Sequence, residues 1–180
     1  MKRKGKSTST VVEMIKIIIM AVVLAVVIRH FVFNTTMVIG QSMEPTLHER
    51  ERMICLVFPN YFSDPKRGDI VIIDAPDESG KEYVKRVIGL PGDHIQIDEG
   101  KVFVNGVALK ENYIHPGVST GIYQDKAWDI KAGEFFVMGD NRQEGMSIDS
   151  RYFGPVEKKH VRSRAVLRYY PFSKFTLFNH

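Results

Sequence analysis

Cysteine is nearly absent. The single thiol, Cys55, rules out an intrachain disulfide and any zinc site built from several cysteines, whatever the compartment. It sits in the apolar, strand-like run Met53-Ile54-Cys55-Leu56-Val57-Phe58. No basic residue in that run could stabilise a thiolate, so it reads as a buried structural thiol rather than a nucleophile. Paired histidines are missing too. His30, His48, His94, His115, His160 and His180 include no two at the close spacing of a helical zinc site, and none neighbours a serine in a hydrolase elbow. Gly40-Gln41-Ser42-Met43-Glu44 breaks the G-x-S-x-G pattern at its last position, and Gly5-Lys6-Ser7 has no room upstream for the first glycine of a phosphate loop. Metal, nucleotide and histidine-triad chemistry are therefore not expected, and no cofactor is called for.

A charge excess of either sign is also lacking once the amino terminus is set aside. The net charge of +4 is accounted for by Lys2, Arg3, Lys4 and Lys6 within the first ten residues, where no acid occurs. The rest of the chain is balanced, which removes the electrostatic reason to expect a nucleic-acid partner. At 180 residues there is room for one domain and an appendage. The 44% hydrophobic and 26% charged content is that of a folded protein.

What is present, first, is an apolar run. Ile17–Ile28 is twelve residues without a polar side chain, and Val11–Phe33 is interrupted only by Glu13, Lys16, Arg29 and His30. A spanning helix needs roughly 20 residues, and long basic side chains near its ends reach the interface. A cleavable secretory signal has a similar shape, but no Ala-x-Ala-like site follows, only Phe31-Val32-Phe33-Asn34-Thr35-Thr36. The expectation is a retained single-pass anchor in the cell membrane. A cytoplasmic basic tail occupies 1–10, the transmembrane anchor 11–33, and an extracytoplasmic β-rich domain 34–180, with the lipid bilayer as partner.

After the anchor the pattern is β. Expected strands are Met53–Phe58, Ile70–Asp74, Tyr83–Ile88, His94–Asp98, Val102–Val104, Val107–Leu109, Glu134–Met138 and Val161–Tyr169, short and separated by turn signals such as Pro65, Gly68-Asp69 and Pro91-Gly92-Asp93. Asn105-Gly106 suits a two-residue hairpin turn. In the last strand Arg162, Arg164 and Arg168 share one parity, which predicts a wet face. The fold class expected is mainly β, an antiparallel sheet or barrel-like domain preceded by one helix. The aromatic tail Tyr169-Tyr170-Pro171-Phe172 and Phe175–Phe178 fits a lipid interface or, the favoured reading, packing on the β core.

Four stretches stand out in order: Ser42-Met43-Glu44-Pro45-Thr46-Leu47, Arg67-Gly68-Asp69-Ile70-Val71, Lys85-Arg86-Val87-Ile88-Gly89-Leu90-Pro91-Gly92-Asp93, and Gly139-Asp140-Asn141-Arg142 followed by Ser147-Ile148-Asp149-Ser150-Arg151. Each alone is common turn or strand chemistry. Together, behind an apolar segment, they resemble the sequence boxes of bacterial type I signal peptidases, from the anchor to about Gly154. The chemistry of the residues agrees. A serine hydroxyl needs a base to take its proton, and with no credible histidine the base available is a neutral lysine. Burial lowers a lysine's pKa, and Lys85 is flanked by Tyr83, Val84, Val87 and Ile88. Without the resemblance, Lys85 would read as a solvated strand charge and Ser42 as a turn residue.

The resemblance implies a serine endopeptidase with Ser42 as nucleophile and Lys85 as general base. Ser147 would hydrogen-bond Lys85, and Asp149 and Arg151 would form a supporting ion pair. Thr36, Val38, Ile39, Tyr83 and Val84 would border shallow pockets for small residues before the scissile bond, with exported preproteins as substrates. The oxyanion would rest on the Ser42 N–H. Some relatives add a hydroxyl two positions before the nucleophile, where this chain has Gly40. The family pattern also has two residues between its last two boxes, where this chain has four, Gln143 to Met146; Gly145 suits the turn that would absorb them. Asp140 and Asn141 read equally well as turn residues. Two rivals remain at this stage. One is a self-cleaving repressor-type Ser–Lys peptidase, which would carry a DNA-binding head where this chain has its apolar run. The other is an inactive anchored β-domain that binds exported chains without cutting.

Overall fold

The computed structural model describes residues 6–31, 33–57 and 63–178, with the side chains of the first helix described over residues 10–26. Lys2, Arg3 and Lys4 of the expected tail, Phe58 of the expected strand and His180 lie outside the described residues. Helix α1 spans Lys6–Phe31. Among the described residues no helix is long and apolar enough to cross a membrane. Phe33, expected to end the anchor, instead opens β1 (Phe33–Met37), because its backbone pairs with Leu56.

Among the described residues twelve antiparallel strands follow in two sheets, as expected of a mainly β chain. The larger contains β1, β2 (Arg52–Leu56), β3 (Ile70–Asp74), β4 (Glu82–Gly89), β9 (Glu134–Met138), β10 (Val156–Glu157), β11 (Val161–Tyr170) and β12 (Thr176–Leu177). Its order is β1-β2-β11-β3-β4-β9-β10, with β12 beside β11. The smaller contains β5 (His94–Asp98), β6 (Lys101–Val104), β7 (Val107–Ala108) and β8 (Ala127–Asp129), in the order β7-β6-β5-β8. A single helical turn, α2 (Ser150–Phe153), lies between β9 and β10. Asn105 and Gly106 both take positive φ (51° and 79°) between β6 and β7, the geometry a primed two-residue turn requires.

Strand β3 is buried on both faces. Ile70 and Ile72 enter one apolar cluster with Met43, Leu47, Met53 and Cys55, while Val71 and Ile73 enter another with Val87, Phe135 and Val137. Cys55 is fully buried and its thiol is pushed up to about 11, chiefly by loss of solvent, which fits the structural role.

Two expectations need correction. The wet face of β11 holds only at Arg162: Arg164 and Arg168 are largely covered and pair with Asp69 (2.9 Å) and Glu51 (2.8 Å). Register shifts between Ala165 and Leu167 and between Arg168 and Tyr170 break the simple alternation there. The aromatic tail does not pack as a unit on the core. Phe178 joins a core cluster, whereas Phe172 is 80% and Phe175 58% exposed, at the two ends of the 3-10 turn Phe172–Lys174 that precedes β12.

Candidate active site

Ser42 lies in an excursion between β1 and β2. The neck is closed by Val38 N–H donating to the Glu51 carbonyl and Arg50 N–H to the Val38 carbonyl, both 2.8 Å. Met43 and Leu47 sink into the core and fix the turn, leaving Ser42 half-buried at a cleft wall. Lys85 comes from β4, where it pairs with Val71 of β3. The next residue, Arg86, pairs with Met138 at the end of β9, so Gly139-Asp140-Asn141-Arg142 emerges beside Lys85. Residues distant in sequence therefore meet: Lys85 Nζ lies 2.9 Å from Ser42 Oγ.

Lys85 is 2% exposed. Burial lowers its pKa from the usual 10.5 to about 8, with Asp149 pulling it upward and Arg151 opposing that pull. Among the described residues no carboxylate makes an ion pair with its amine, and the Tyr83 ring lies 5.1 Å away. Near neutral pH a neutral fraction of this amine is available to accept a proton from a hydroxyl in contact with it.

The supporting residues are brought together, with one change of partner. Ser147 Oγ donates to Asp149 Oδ2 (2.7 Å), rather than bonding Lys85 as expected. Asp149 is fully buried and so attractive to nearby donors that it also accepts from Gly139 N–H (2.9 Å) and from Arg151 Nε and Nη2 (2.9 and 2.7 Å). It caps α2 as well, accepting from the Arg151 N–H at 3.2 Å. Gly139 can be nothing larger. A β-carbon there would collide with Ser147 Oγ and with the Ser42 carbonyl oxygen.

Asp140 and Asn141 do more than turn the chain. Asn141 N–H donates to the Ser42 carbonyl (3.0 Å) and its side-chain amide to the Gln41 carbonyl (3.2 Å), which tethers the serine loop. Asp140 accepts from Arg86 Nε and Nη2 (2.8 and 2.6 Å) and from Thr46 Oγ1 (2.5 Å). Arg86 in turn stacks on Tyr113, 4.1 Å from the ring centroid. Arg142, also buried, binds Glu111 through both terminal nitrogens (2.9 and 2.5 Å). Arg86 sat in a recognised stretch without a role, while Glu111 and Tyr113 carried no sequence signal.

A cleft of about 820 Å³ opens at the Ser42–Lys85 contact. All five expected pocket residues, Thr36, Val38, Ile39, Tyr83 and Val84, line it. Gly145, Met146 and Ile148, which sequence reasoning missed, line it as well. Because β9 pairs with β4 only from Arg86 onward, the Glu82–Lys85 stretch of β4 has no strand partner on that side among the described residues. Among the described residues no group of three or more His, Cys, Asp or Glu side chains could hold a metal ion.

A buried amine beside a hydroxyl thus lies in a strand-edged cleft. Residues 11–170 match the family model described as signal peptidase, peptidase S26. The chain is similar to signal peptidase I of Bacillus licheniformis, 42% identical with 96% of each chain covered. It is also similar to signal peptidase I T of Bacillus subtilis, 38% identical over 96% of this chain and 92% of that one. A solved signal peptidase I from Enterococcus faecalis aligns with 57% of this chain and 97% of its own at 31% identity, with a TM-score of 0.48. The chain belongs to the signal peptidase family, peptidase S26, in its bacterial type I branch of serine peptidases.

Proposed function

We propose that this chain is a membrane-anchored endopeptidase that removes signal peptides from exported preproteins after small residues of the Ala-x-Ala type, with Ser42 as nucleophile and Lys85 as general base. The observation that carries the reading is the 2.9 Å contact between Ser42 Oγ and a lysine amine that is almost wholly buried. Neutral Lys85 takes the hydroxyl proton as Oγ attacks the scissile carbonyl. The resulting ammonium returns that proton to the leaving amine, giving an acyl-Ser42 and a free amino terminus. Lys85, neutral again, takes a proton from water as the water attacks the ester, and then gives it back to Oγ on release.

The oxyanion accepts from the Ser42 N–H, which has no backbone partner among the described residues. Gly40 supplies no hydroxyl, so the second donor is a backbone N–H or solvent. One such donor is worth about 2.7–4 kcal/mol in a well-studied serine protease. The substrate lies extended between the segment before Ser42 and the Glu82–Lys85 edge of β4, where added main-chain hydrogen bonds give affinity. Branched walls at Thr36, Val38, Ile39 and Val84 admit alanine and exclude bulk. Asp149 and Arg151 support the site electrostatically, with Ser147 acting through Asp149.

The test is direct. Purified parent protein should cut a preprotein bearing an Ala-x-Ala site, the new amino terminus starting just after the second alanine, while Ser42→Ala releases nothing. Equal cleavage by Ser42→Ala would end the proposal.

The anchor is α1. Its described side chains, residues 10–26, are exposed and mostly apolar, and the sequence continues apolar through Val27 and Ile28. The apolar part of that helix, Val11–Ile28 broken only by Glu13 and Lys16, is about 27 Å long at 1.5 Å per residue, close to a hydrocarbon core of about 30 Å. The basic amino terminus would stay cytoplasmic and the β domain would face outward. In protease-protection assays on spheroplasts, external protease should digest the β domain; full protection would reverse the topology.

A further inference from the structure

The cleft has a wall built by the segment between Arg142 and Ser147 and held from outside. Along this extended stretch the side chains alternate. Ser147 and Asp149 point inward and are buried, whereas Met146 and Ile148 line the cleft and are 37% and 45% exposed. Gly145, at φ +77°, supplies the turn that starts the alternation.

This segment is clamped by residues 121–123, from the long connection between β7 and β8. Tyr123 uses both capacities of its hydroxyl: Oη accepts from the Gly145 N–H and donates to the Ser147 carbonyl, each at 3.1 Å. Two residues earlier, Gly121 N–H donates to the Arg142 carbonyl (3.1 Å), and its backbone lies so near Glu144 that a β-carbon would come within 3.3 Å of Glu144 Cα. The Tyr123 ring is itself fixed, edge-on to Tyr152 (centroids 6.2 Å apart) and 5.4 Å from the Arg151 guanidinium.

We infer that Met146 and Ile148 form an apolar lip that sets which substrate side chains the cleft admits, and that Tyr123 is the positioning residue that holds the lip in place. This deepens the peptidase reading and rests on it. A lip made of a thioether and a branched chain would yield to a bulky residue if it were free to swing. Hydrogen-bonded on both sides of Met146, it instead stays rigid and excludes bulk.

The test uses full-length protein in detergent and a peptide series in which residues flanking the scissile bond change, one at a time, from Ala to Leu to Phe. Met146→Ala should raise the Leu-to-Ala ratio of kcat/KM by roughly tenfold or more at one or more positions, the discrimination that one methylene gives in an apolar pocket. Tyr123→Phe keeps the ring contacts and removes only the hydroxyl. It should move the same ratio in the same direction and speed amide exchange at Gly145 by about tenfold. A ratio that shifts less than this at every position in Met146→Ala overturns the lip, and unchanged Gly145 exchange in Tyr123→Phe overturns the clamp. Cleavage of the all-Ala peptide by the parent, and not by Ser42→Ala, keeps the peptidase reading standing if the lip fails. No cleavage of any peptide by the parent removes both.

Discussion

Lys85→Met should lose roughly 10²–10⁴-fold in cleavage rate, the range a general base supplies, and at the same time leave a more stable protein. A tenfold change in proton affinity corresponds to about 1.4 kcal/mol, so lowering the lysine from 10.5 to about 8 makes the buried ammonium cost on the order of 3 kcal/mol. Because the folded value lies below the unfolded one, this cost is present in full below about pH 8. It fades as pH rises from 8 toward 10.5 and vanishes beyond. Methionine fills similar space with no charge to desolvate. Urea unfolding at pH 7 should show Lys85→Met ahead of the parent by about 2–3 kcal/mol, with the lead shrinking by pH 10. Lys85→Arg should be as inactive, since a guanidinium does not deprotonate at working pH. The parent's kcat/KM should climb with pH through about 8. A flat profile, or a Lys85→Met protein no more stable at pH 7, would remove the buried neutral amine from the account.

Asp149→Ala carries the largest expected stability loss. Burial alone would raise the Asp149 pKa, but Arg151, the Gly139 N–H and the Ser147 hydroxyl outweigh it and hold the carboxyl below its ordinary value of 3.8. Its contribution is complete above that value and is lost as pH falls through the lower, folded one. Removing the carboxylate strands the fully buried Arg151 guanidinium and frees the Gly139 and Ser147 donors. Breaking a buried pair in this way costs about 3–5 kcal/mol, a large part of a small domain's stability. Asp149→Asn should fall between parent and Asp149→Ala in a thermal melt. With the negative charge gone, the Lys85 pKa drops further, so the rise of kcat/KM in Asp149→Asn should shift to lower pH. A shift toward higher pH would mean that Asp149 does not act on Lys85 through charge.

Much of this architecture was legible in the residues. Ile70–Asp74, His94–Asp98 and Glu134–Met138 coincide with β3, β5 and β9, because short β-branched and aromatic runs bounded by Gly, Pro and Asp leave the backbone few alternatives. The strands β1, β8, β10 and β12 went unforeseen. β1 begins at Phe33, which continues the apolar run of the helix; the other three are two or three residues long, too short to establish a period, and exist because a longer neighbour offers them partners. The Ser42–Lys85 pair was legible through its flanking stretches rather than through spacing. The partner of Ser147 was not, since its choice depends on how close Asp149 comes once α2 has formed. Glu111 and Tyr113 were invisible for the same kind of reason. They sit in a loop without pattern, and their value arises only when Arg86 of β4 and Arg142 of the loop after β9 arrive beside them.

Tyr113 has one more consequence. Its ring lies 4.1 Å from the Arg86 guanidinium and 5.8 Å from that of Arg142, so one aromatic ring contacts two like charges whose counter-ions, Asp140 and Glu111, sit on different segments. The loop leaving the small sheet thus acts as the keystone between β4 and the turn that steadies the serine. Lifting it away would uncover both cations at once, which joins the outlying hairpins and the reacting groups in one cooperative unit.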